Sequence, residues 1–118
     1  MIKPFKLSAI VPSTNISETK RFLIEQLAFE DCPMNGENSH YTIAKTVDTE
    51  LHIQHVDGTP NEMNMYFLVE SADDVWEDLK DIEGLKKKAP FVRDYGMKEV
   101  HVILPHTNTL LFIGEDLG

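Results

Sequence analysis

The order of predicted elements constrains this 118-residue chain most, because one strand, one helix and three strands follow one another twice. Short apolar or alternating runs predict the strands, and helical spacing of apolar residues predicts the helices. The first half contains a strand at 5–13, a helix at 17–29, an extended piece or turn at 29–36, and hairpin strands at 40–47 and 50–56. The second half contains a strand at 63–70, a helix at 71–82, and strands at 90–94, 98–104 and 109–114. Strands in runs between isolated helices predict an α+β fold of mixed or antiparallel sheets, each covered by one helix.

Capping signals and apolar spacing support both helices. Ser17 is the predicted N-cap of the first helix, and Ser71 with Asp74 resembles a capping box at the start of the second. Phe22 and Trp76 lie at helical spacing with other apolar residues. We therefore expect each of these two aromatic side chains to pack against a sheet.

Length, charge and cysteine usage limit the class of protein. A chain of this length forms one domain, and no apolar run approaches the roughly 20 residues of a membrane span. The first residues lack the features of a signal peptide, and the single cysteine, Cys32, excludes an internal disulfide framework. A formal charge of −9 argues against a nucleic-acid partner. These features predict a cytoplasmic protein without nucleic-acid or membrane partners, and the negative charge leaves a cationic small-molecule ligand as one option.

Three segments, together with the repeated layout, resemble the vicinal oxygen chelate superfamily, which includes glyoxalase I, bleomycin-resistance proteins and extradiol dioxygenases. The segments are "IVPSTNISETKRFLIEQLAFE", "FLVESADDVWEDLK" and "DYGMKEVHVILPHTNTLLFIGE". Ala28 stands where the family has a glycine, and His106 lies in a turn that lacks the family's usual glycine. The resemblance implies one glyoxalase/bleomycin-resistance-like domain over residues 1–118. It would contain two βαβββ modules, about 1–58 and 61–118, forming a cupped mixed sheet.

The motif "LHIQH" at 51–55 contains two histidines three residues apart, which suggests a metal site. Side chains alternate along a strand, so His52 and His55 are expected on opposite faces. Leu51 and Ile53 share the face of His55 and are expected to pack against the helix. His52 and Gln54 are then left on the concave face, and the two histidines do not form a joint site.

The metal enzymes of the superfamily draw ligands from the first, fourth, fifth and eighth strands. Carried over, these positions correspond to Leu7, to His52 or Gln54, to Asn64, and to Leu111 or Phe112. A catalytic metal site needs about three protein ligands, and this set contains two hydrocarbon positions. We therefore predict a metal-free branch of the superfamily with no metal site and no cofactor.

Strand alternation also predicts a ligand site on the concave side. In "KEVHVIL" it sends Val100 and Val102 toward the helix and leaves a possible Glu99–His101 pair on the other side. The expected ligand-binding residues share polar or aromatic side chains on the concave faces of their strands: His52, Gln54, Asn64, Tyr66, Glu99 and His101. No catalytic residue is assigned from the sequence.

Three functions remain open. The first is a metal-independent small-molecule binding protein that resembles bleomycin-resistance proteins and holds its ligand in a concave cleft. The alternative is a lyase, isomerase or oxygenase that uses an unrecognised metal site or His/Glu acid–base chemistry. In a third, the cup is filled by its own side chains, among them Met63, Met65 and Met97. The resemblance also implies a homodimer, in keeping with the commonest soluble assembly.

Overall fold

The computed structural model describes residues 1–34 and 39–118, so Asn35 and Gly36, in the predicted 29–36 piece, lie outside the described residues. The chain forms two compact units, residues 1–60 and 61–118. The first unit contains β1 (Ala9–Ser13), α1 (Ile16–Leu27), β2 (Glu30–Asp31), β3 (Tyr41–Lys45) and β4 (Glu50–His55). The second contains β5 (Glu62–Leu68), α2 (Ala72–Leu79), β6 (Lys87–Val92), β7 (Met97–Ile103) and β8 (Asn108–Asp116). This confirms the predicted α+β fold of two βαβββ modules.

The two sheets have the same strand order. The first runs β1-β4-β3-β2 and the second β5-β8-β7-β6. In each sheet the first strand of the module pairs in parallel with the last, and the remaining pairs are antiparallel. The two halves of the chain therefore share both their order of elements and their sheet topology.

Each sheet has one face packed against its helix. In the first unit, Leu23 of α1 is fully buried, and so are Val11 and Ile53 on the strands. In the second unit, Leu79 of α2 and Leu111 of β8 are fully buried. Burying an aliphatic side chain of this size contributes roughly 1.5–3 kcal/mol. The other face of each sheet, which we call its open face, carries the alternate residues of the same strands.

The first strand begins later than predicted. Phe5 and Leu7 are 102% and 96% exposed and precede β1, because Ala9 already pairs with Leu51 near the beginning of β4. Because β4 begins at Glu50, residues 5–7 extend past its end, and their apolar alternation is not used in the sheet.

Other boundaries differ for local reasons. The N-cap of α1 is Asn15 rather than Ser17, because the Asn15 Oδ1 accepts the Glu18 N–H at 3.2 Å. Ser71 caps α2 as predicted. β6 covers 87–92 rather than 90–94, with a register shift between Lys88 and Phe91 that lets the strand start earlier.

The methionines predicted near the cup divide between the two faces of the second sheet. Met63 and Met65 alternate with the open-face residues of β5, so they point to the helix-covered face. Met97 shares its face with Glu99, two residues later on β7. Two of the three methionines are therefore wrongly placed in that prediction.

The helices α1 and α2 are short. Within residues 1–34 and 39–118, no helix is long and apolar enough to cross a membrane.

Candidate functional site

Aromatic rings from four strands form a continuous row on the open face of the second sheet. The register places Tyr66 of β5 beside Phe112 of β8, and Phe112 beside His101 of β7. The ring centroids of Tyr66 and Phe112 are 6.1 Å apart, those of Phe112 and His101 4.3 Å, and those of His101 and Phe91 5.0 Å. We call Tyr66, Phe112, His101 and Phe91 the aromatic row. Tyr66 is 44% exposed, so this end of the row is accessible.

A buried carboxylate holds the row in place. Glu99 is fully buried, and its Oε1 accepts hydrogen bonds from Arg93 Nη1 at 3.1 Å and His101 Nε2 at 2.8 Å. Its Oε2 accepts from the Tyr66 hydroxyl at 2.7 Å and from the Tyr95 hydroxyl. Four donors, from two strands and the loop after β6, thus converge on one side chain, which fixes the rotamers of Tyr66 and His101.

The hydrogen bonds around Glu99 determine the protonation states of this carboxylate and of the two tyrosines that donate to it. Burial disfavours the charged carboxylate, but hydrogen bonds from Tyr95, His101 and Tyr66 and the Arg93 guanidinium outweigh it and lower the pKa of Glu99 to about 2. Burial and the Glu99 carboxylate raise the pKa of Tyr66, and the hydrogen bond to Glu99 raises that of Tyr95. At neutral pH the site therefore holds one carboxylate and two neutral phenol donors.

The position of Tyr66 depends on a glycine in the neighbouring strand. Gly114 of β8 is buried, and the Tyr66 ring lies directly over it. A Cβ at this position would come within 2.7 Å of Tyr66 Cζ. Gly114 therefore allows the phenol to lie across the sheet and reach Glu99.

The open face of the second sheet continues from the aromatic row to a shallow pocket. Asn64 lies two residues before Tyr66 on β5 and is exposed. The pocket has a volume of about 240 Å³ and is lined by Glu62, Asn64, Ile103, Asn108 and Leu110. Amide and carboxylate groups thus surround an aliphatic floor at this end of the face.

On the first sheet, His52 makes two side-chain hydrogen bonds on the open face. Its Nδ1 lies 2.6 Å from the Tyr41 hydroxyl, and its Nε2 lies 2.9 Å from Glu50 Oε1. Gln54, two residues on, is exposed and paired in register with Tyr41. His55 contacts Asp57 instead, at 3.1 Å, and belongs to the opposite face. The predicted separation of His52 from His55 is confirmed.

Of the predicted ligand-binding residues, the structure brings Tyr66, Glu99 and His101 into direct contact and places Asn64 on the same face. His52 and Gln54 lie on the open face of the first sheet. Glu99 lies on the predicted side of β7, where its two carboxylate oxygens already accept hydrogen bonds from four neighbouring side chains.

Five residues of these clusters were not predicted from the sequence. Two of them could have been found by counting strand register outward from a hairpin turn. Counting from the β3–β4 turn places Tyr41 on the face of His52, and counting from the β7–β8 turn places Phe112 beside His101. The others reach the cluster from the bulged strand β6 and the loop after it, where alternation gives no signal: Phe91, Arg93 and Tyr95.

The residues at the superfamily's metal positions do not fit a divalent metal. Leu7 precedes β1, and the β1 residue beside His52 is Ile10, which is also a hydrocarbon. Leu111 is fully buried on the helix-covered face. In the part of the chain that the structure describes, no group of three or more His, Cys, Asp or Glu side chains is arranged to hold a metal ion.

No protein-family model and no curated protein sequence matches this chain. Solved structures do. The bleomycin-binding protein from Streptomyces verticillus, complexed with copper(II)-bleomycin, superposes with a TM-score of 0.70 at 17% identity, covering 100% of this chain and 99% of the other. A glyoxalase/bleomycin resistance protein/dioxygenase from Nocardioides gives 0.76 at 10% identity, covering 99% and 86%. Lactoylglutathione lyase from Agrobacterium tumefaciens gives 0.74 at 12% identity, covering 96% and 95%. Likeness at these identities establishes the fold.

Proposed function

We propose that this chain, which has the vicinal oxygen chelate fold, is a metal-independent small-molecule binding protein. Its ligand would lie in a concave cleft whose floor is the open face of the second sheet. The observation that carries this proposal is the aromatic row held by the buried Glu99. A rigid aromatic surface with fixed polar groups is typical of small-molecule sites, because little side-chain entropy is lost when a ligand binds.

The residues would act in different ways. Tyr66 and Phe112 offer ring faces for stacking, and Asn64 offers a carboxamide at the pocket end of the face. Glu99 would act through Tyr66 and His101, since its carboxylate is buried and satisfied. His52 and Gln54 would make ligand contacts on the open face of the first sheet.

The net charge of −9 favours a cationic ligand for this site. Lys88 Nζ already lies 4.0 Å from the centroid of Phe91, and the Arg93 guanidinium lies 5.5 Å from it. These cations disfavour another positive group at the β6 end. A cationic group would therefore bind at the opposite end, near Glu62 and Asn64.

The structural neighbours support both candidate functions, since one is bleomycin-bound and another is a lyase. The alternative for this chain is a lyase, isomerase or oxygenase that uses an unrecognised metal site or His/Glu acid–base chemistry. Two observations favour binding over catalysis on the second sheet. The described residues provide no three-ligand metal cluster, and a Glu99 with a pKa of about 2 is too weak a base to take a proton near neutral pH.

Titration calorimetry with metal-free bleomycin, copper(II)-bleomycin and a panel of planar cationic compounds tests the proposal. We expect saturable binding of at least one compound, unchanged after the protein is treated with a chelator. Tyr66→Ala should weaken it by roughly two- to tenfold, because an aromatic pair contributes about 0.5–1.5 kcal/mol. Glu77→Gln, on the exposed side of α2, is the matched control. Absence of saturable binding, or binding that Tyr66→Ala leaves unchanged, would count against this site.

The proposal also includes assembly as a homodimer and a cytoplasmic location. Cell fractionation with an antibody to the chain tests the location, and recovery in the membrane or secreted fraction would contradict it.

A further inference from the structure

Three side chains on the open face of the first sheet form a continuous hydrogen-bonded relay. The register pairs Tyr41 with Gln54 and Lys45 with Glu50, so Tyr41 of β3 shares a face with Glu50 and His52 of β4. The Tyr41 hydroxyl lies 2.6 Å from His52 Nδ1, and His52 Nε2 lies 2.9 Å from Glu50 Oε1. We call Tyr41, His52 and Glu50 the relay.

The hydrogen-bonding partners fix the direction of the relay. Hydrogen bonds from Lys6 and His52 lower the pKa of Glu50, so its carboxylate is anionic at neutral pH and can only accept. His52 therefore donates from Nε2, and in the neutral imidazole Nδ1 keeps its lone pair. Tyr41 donates its hydroxyl proton to that lone pair. A proton that moves from Tyr41 to His52 would create an imidazolium held by Glu50, as in a nucleophile–histidine–carboxylate triad.

The other two tyrosines of the chain have a different environment. Tyr66 and Tyr95 both donate to the Glu99 carboxylate, which raises their pKa and favours the neutral phenol. Glu99 itself has a pKa of about 2, so it cannot take a proton from either phenol. Tyr41 instead hydrogen-bonds to an imidazole nitrogen, the group that most often serves as a general base in enzymes.

A cavity lies at the Glu50 end of the relay, and its lining does not include Tyr41 or His52; Tyr41, at the other end, is half-buried on the open face of the sheet. Lys6 and Glu50 line a pocket of about 570 Å³ together with Lys45 and the turn at 46–49. Among the described residues, Lys6 in the segment before β1 and Lys45 of β3 are charged groups next to Glu50 of the relay. The β1 residues next to β4 on this face are Ile10 and Pro12, which carry no charge.

We propose that Tyr41 is the catalytic nucleophile of a second site, which accepts small esters and other activated acyl compounds. His52 is the general base, and Glu50 is a positioning residue. The Tyr41 oxygen bonds to the acyl carbon as its proton moves to His52 Nδ1. The bond from that carbon to the leaving group breaks with its electron pair on the leaving group, which takes the proton from His52 directly or through water. Water then hydrolyses the acyl-tyrosine, which releases the acid and restores the phenol. This activity goes beyond the proposed ligand binding: it does not use the aromatic row, and it shares only His52 with the residues proposed to contact the ligand.

The probe p-nitrophenyl acetate tests this site, with p-nitrophenolate release followed by absorbance and the acetylated residue identified by peptide mass spectrometry. We expect acetylation of Tyr41 ahead of Tyr66 and Tyr95. Tyr41→Phe should abolish that product, and His52→Gln should slow its formation by about tenfold or more. His55→Gln, which changes a histidine on the opposite face, is the matched control and should leave the rate unchanged.

The pH dependence of the Tyr41 acetylation rate distinguishes a catalytic role of the relay from a purely structural one. Assistance from His52 should bring the acetylation rate of Tyr41 to a plateau well below about pH 10, whereas an unassisted phenol reacts only as it ionises near that pH. Glu50→Gln should lower the plateau, and circular dichroism verifies that each variant is folded. Acetyl groups found only on lysines, Tyr66 or Tyr95, or an equal Tyr41 rate in His52→Gln, would overturn the proposal.

Discussion

Glu99 is a single residue whose ionisation connects the site to the stability of the fold. Its pKa is about 2 in the folded chain against 4.5 for the unperturbed group, so the folded state binds this proton less readily than the unfolded state. A depressed carboxyl pKa contributes stability that is fully present above the unfolded pKa and is lost as pH falls through the folded one. The relevant window is therefore pH 4.5 down to about 2.

We predict that Glu99→Gln flattens the dependence of the unfolding free energy on pH within this window. Each unit of pKa difference corresponds to about 1.4 kcal/mol, so the contribution of Glu99 is at most about 3.5 kcal/mol. Urea unfolding of both proteins from neutral pH to about pH 2 measures it. Glu77→Gln, at an exposed acid, should keep the wild-type slope, and an equal slope in Glu99→Gln would contradict the assigned hydrogen-bond network.

Gly114 carries a second prediction at this scale, because its backbone is covered by the Tyr66 ring. Gly114→Ala should displace Tyr66 and destabilise the fold by about 1–3 kcal/mol, the usual range for overpacking. In the Tyr66→Ala background the same substitution should be nearly neutral, because the ring that it meets is gone. A double-mutant cycle by thermal or urea unfolding measures this coupling. Additive effects of the two substitutions would show that Tyr66 does not lie over Gly114.

Alternation along a strand predicted which face most residues take, yet it did not predict which side chains meet. It placed Tyr66, Glu99 and His101 on one side of their strands, and the structure joins them through hydrogen bonds. Arg93 and Tyr95 were missed because a bulge and a loop bring them to Glu99. Convergence of this kind depends on tertiary geometry that no local pattern records.

At the scale of elements, the end of α1 shows a local conflict between residue type and backbone. Ala28 adopts φ 57°, in the left-handed region, and the Phe29 N–H reaches back to the Leu23 carbonyl at 3.1 Å. This arrangement favours glycine, since a Cβ in this region costs roughly 1–2 kcal/mol. The resemblance to the vicinal oxygen chelate superfamily also indicates a glycine at this position.

We therefore predict that Ala28→Gly stabilises the chain by about 0.5–1 kcal/mol, after allowance for the greater freedom of glycine in the unfolded state. Ala9→Gly in β1, where φ is not positive, is the matched control and should destabilise by a similar amount. Thermal unfolding of the three proteins gives both differences. A destabilised Ala28→Gly would mean that the left-handed conformation is not strained by alanine.

Element identities were predicted better than their ends. Apolar periodicity revealed both helices and the hairpin of β3 and β4, because these depend on local sequence. The beginning of β1 depends instead on where β4 offers a partner, so the apolar residues 5–7 were wrongly included. Asn15 and Ser17 are both good capping residues, and only the geometry at the beginning of α1 distinguishes them.

At the scale of the whole molecule, the repeated order of elements predicted a repeat of sheet topology. It did not predict which side chains meet on the two open faces. The same βαβββ order carries different chemistry in each unit: a tyrosine–histidine–glutamate relay in the first and an aromatic row around a buried carboxylate in the second. Backbone pattern determines topology, whereas the open faces are free to vary because they do not form the core of either unit.

Net charge and exposed apolar residues bear on the proposed homodimer. Two chains of charge −9 repel one another, so association needs apolar contact, and Phe5 and Leu7 expose almost their entire side chains in the segment before β1. We predict light-scattering masses near twice 13.5 kDa at high micromolar concentration, with tighter association when NaCl rises from about 0.05 M to about 0.5 M and screens the repulsion.

Phe5→Ser with Leu7→Ser should shift the protein toward monomer. Val47→Ser, at an equally exposed apolar residue in the β3–β4 turn, should not. A monomer mass at every salt concentration would contradict the dimer, and a dimer insensitive to residues 5 and 7 would place the contact elsewhere on the chain.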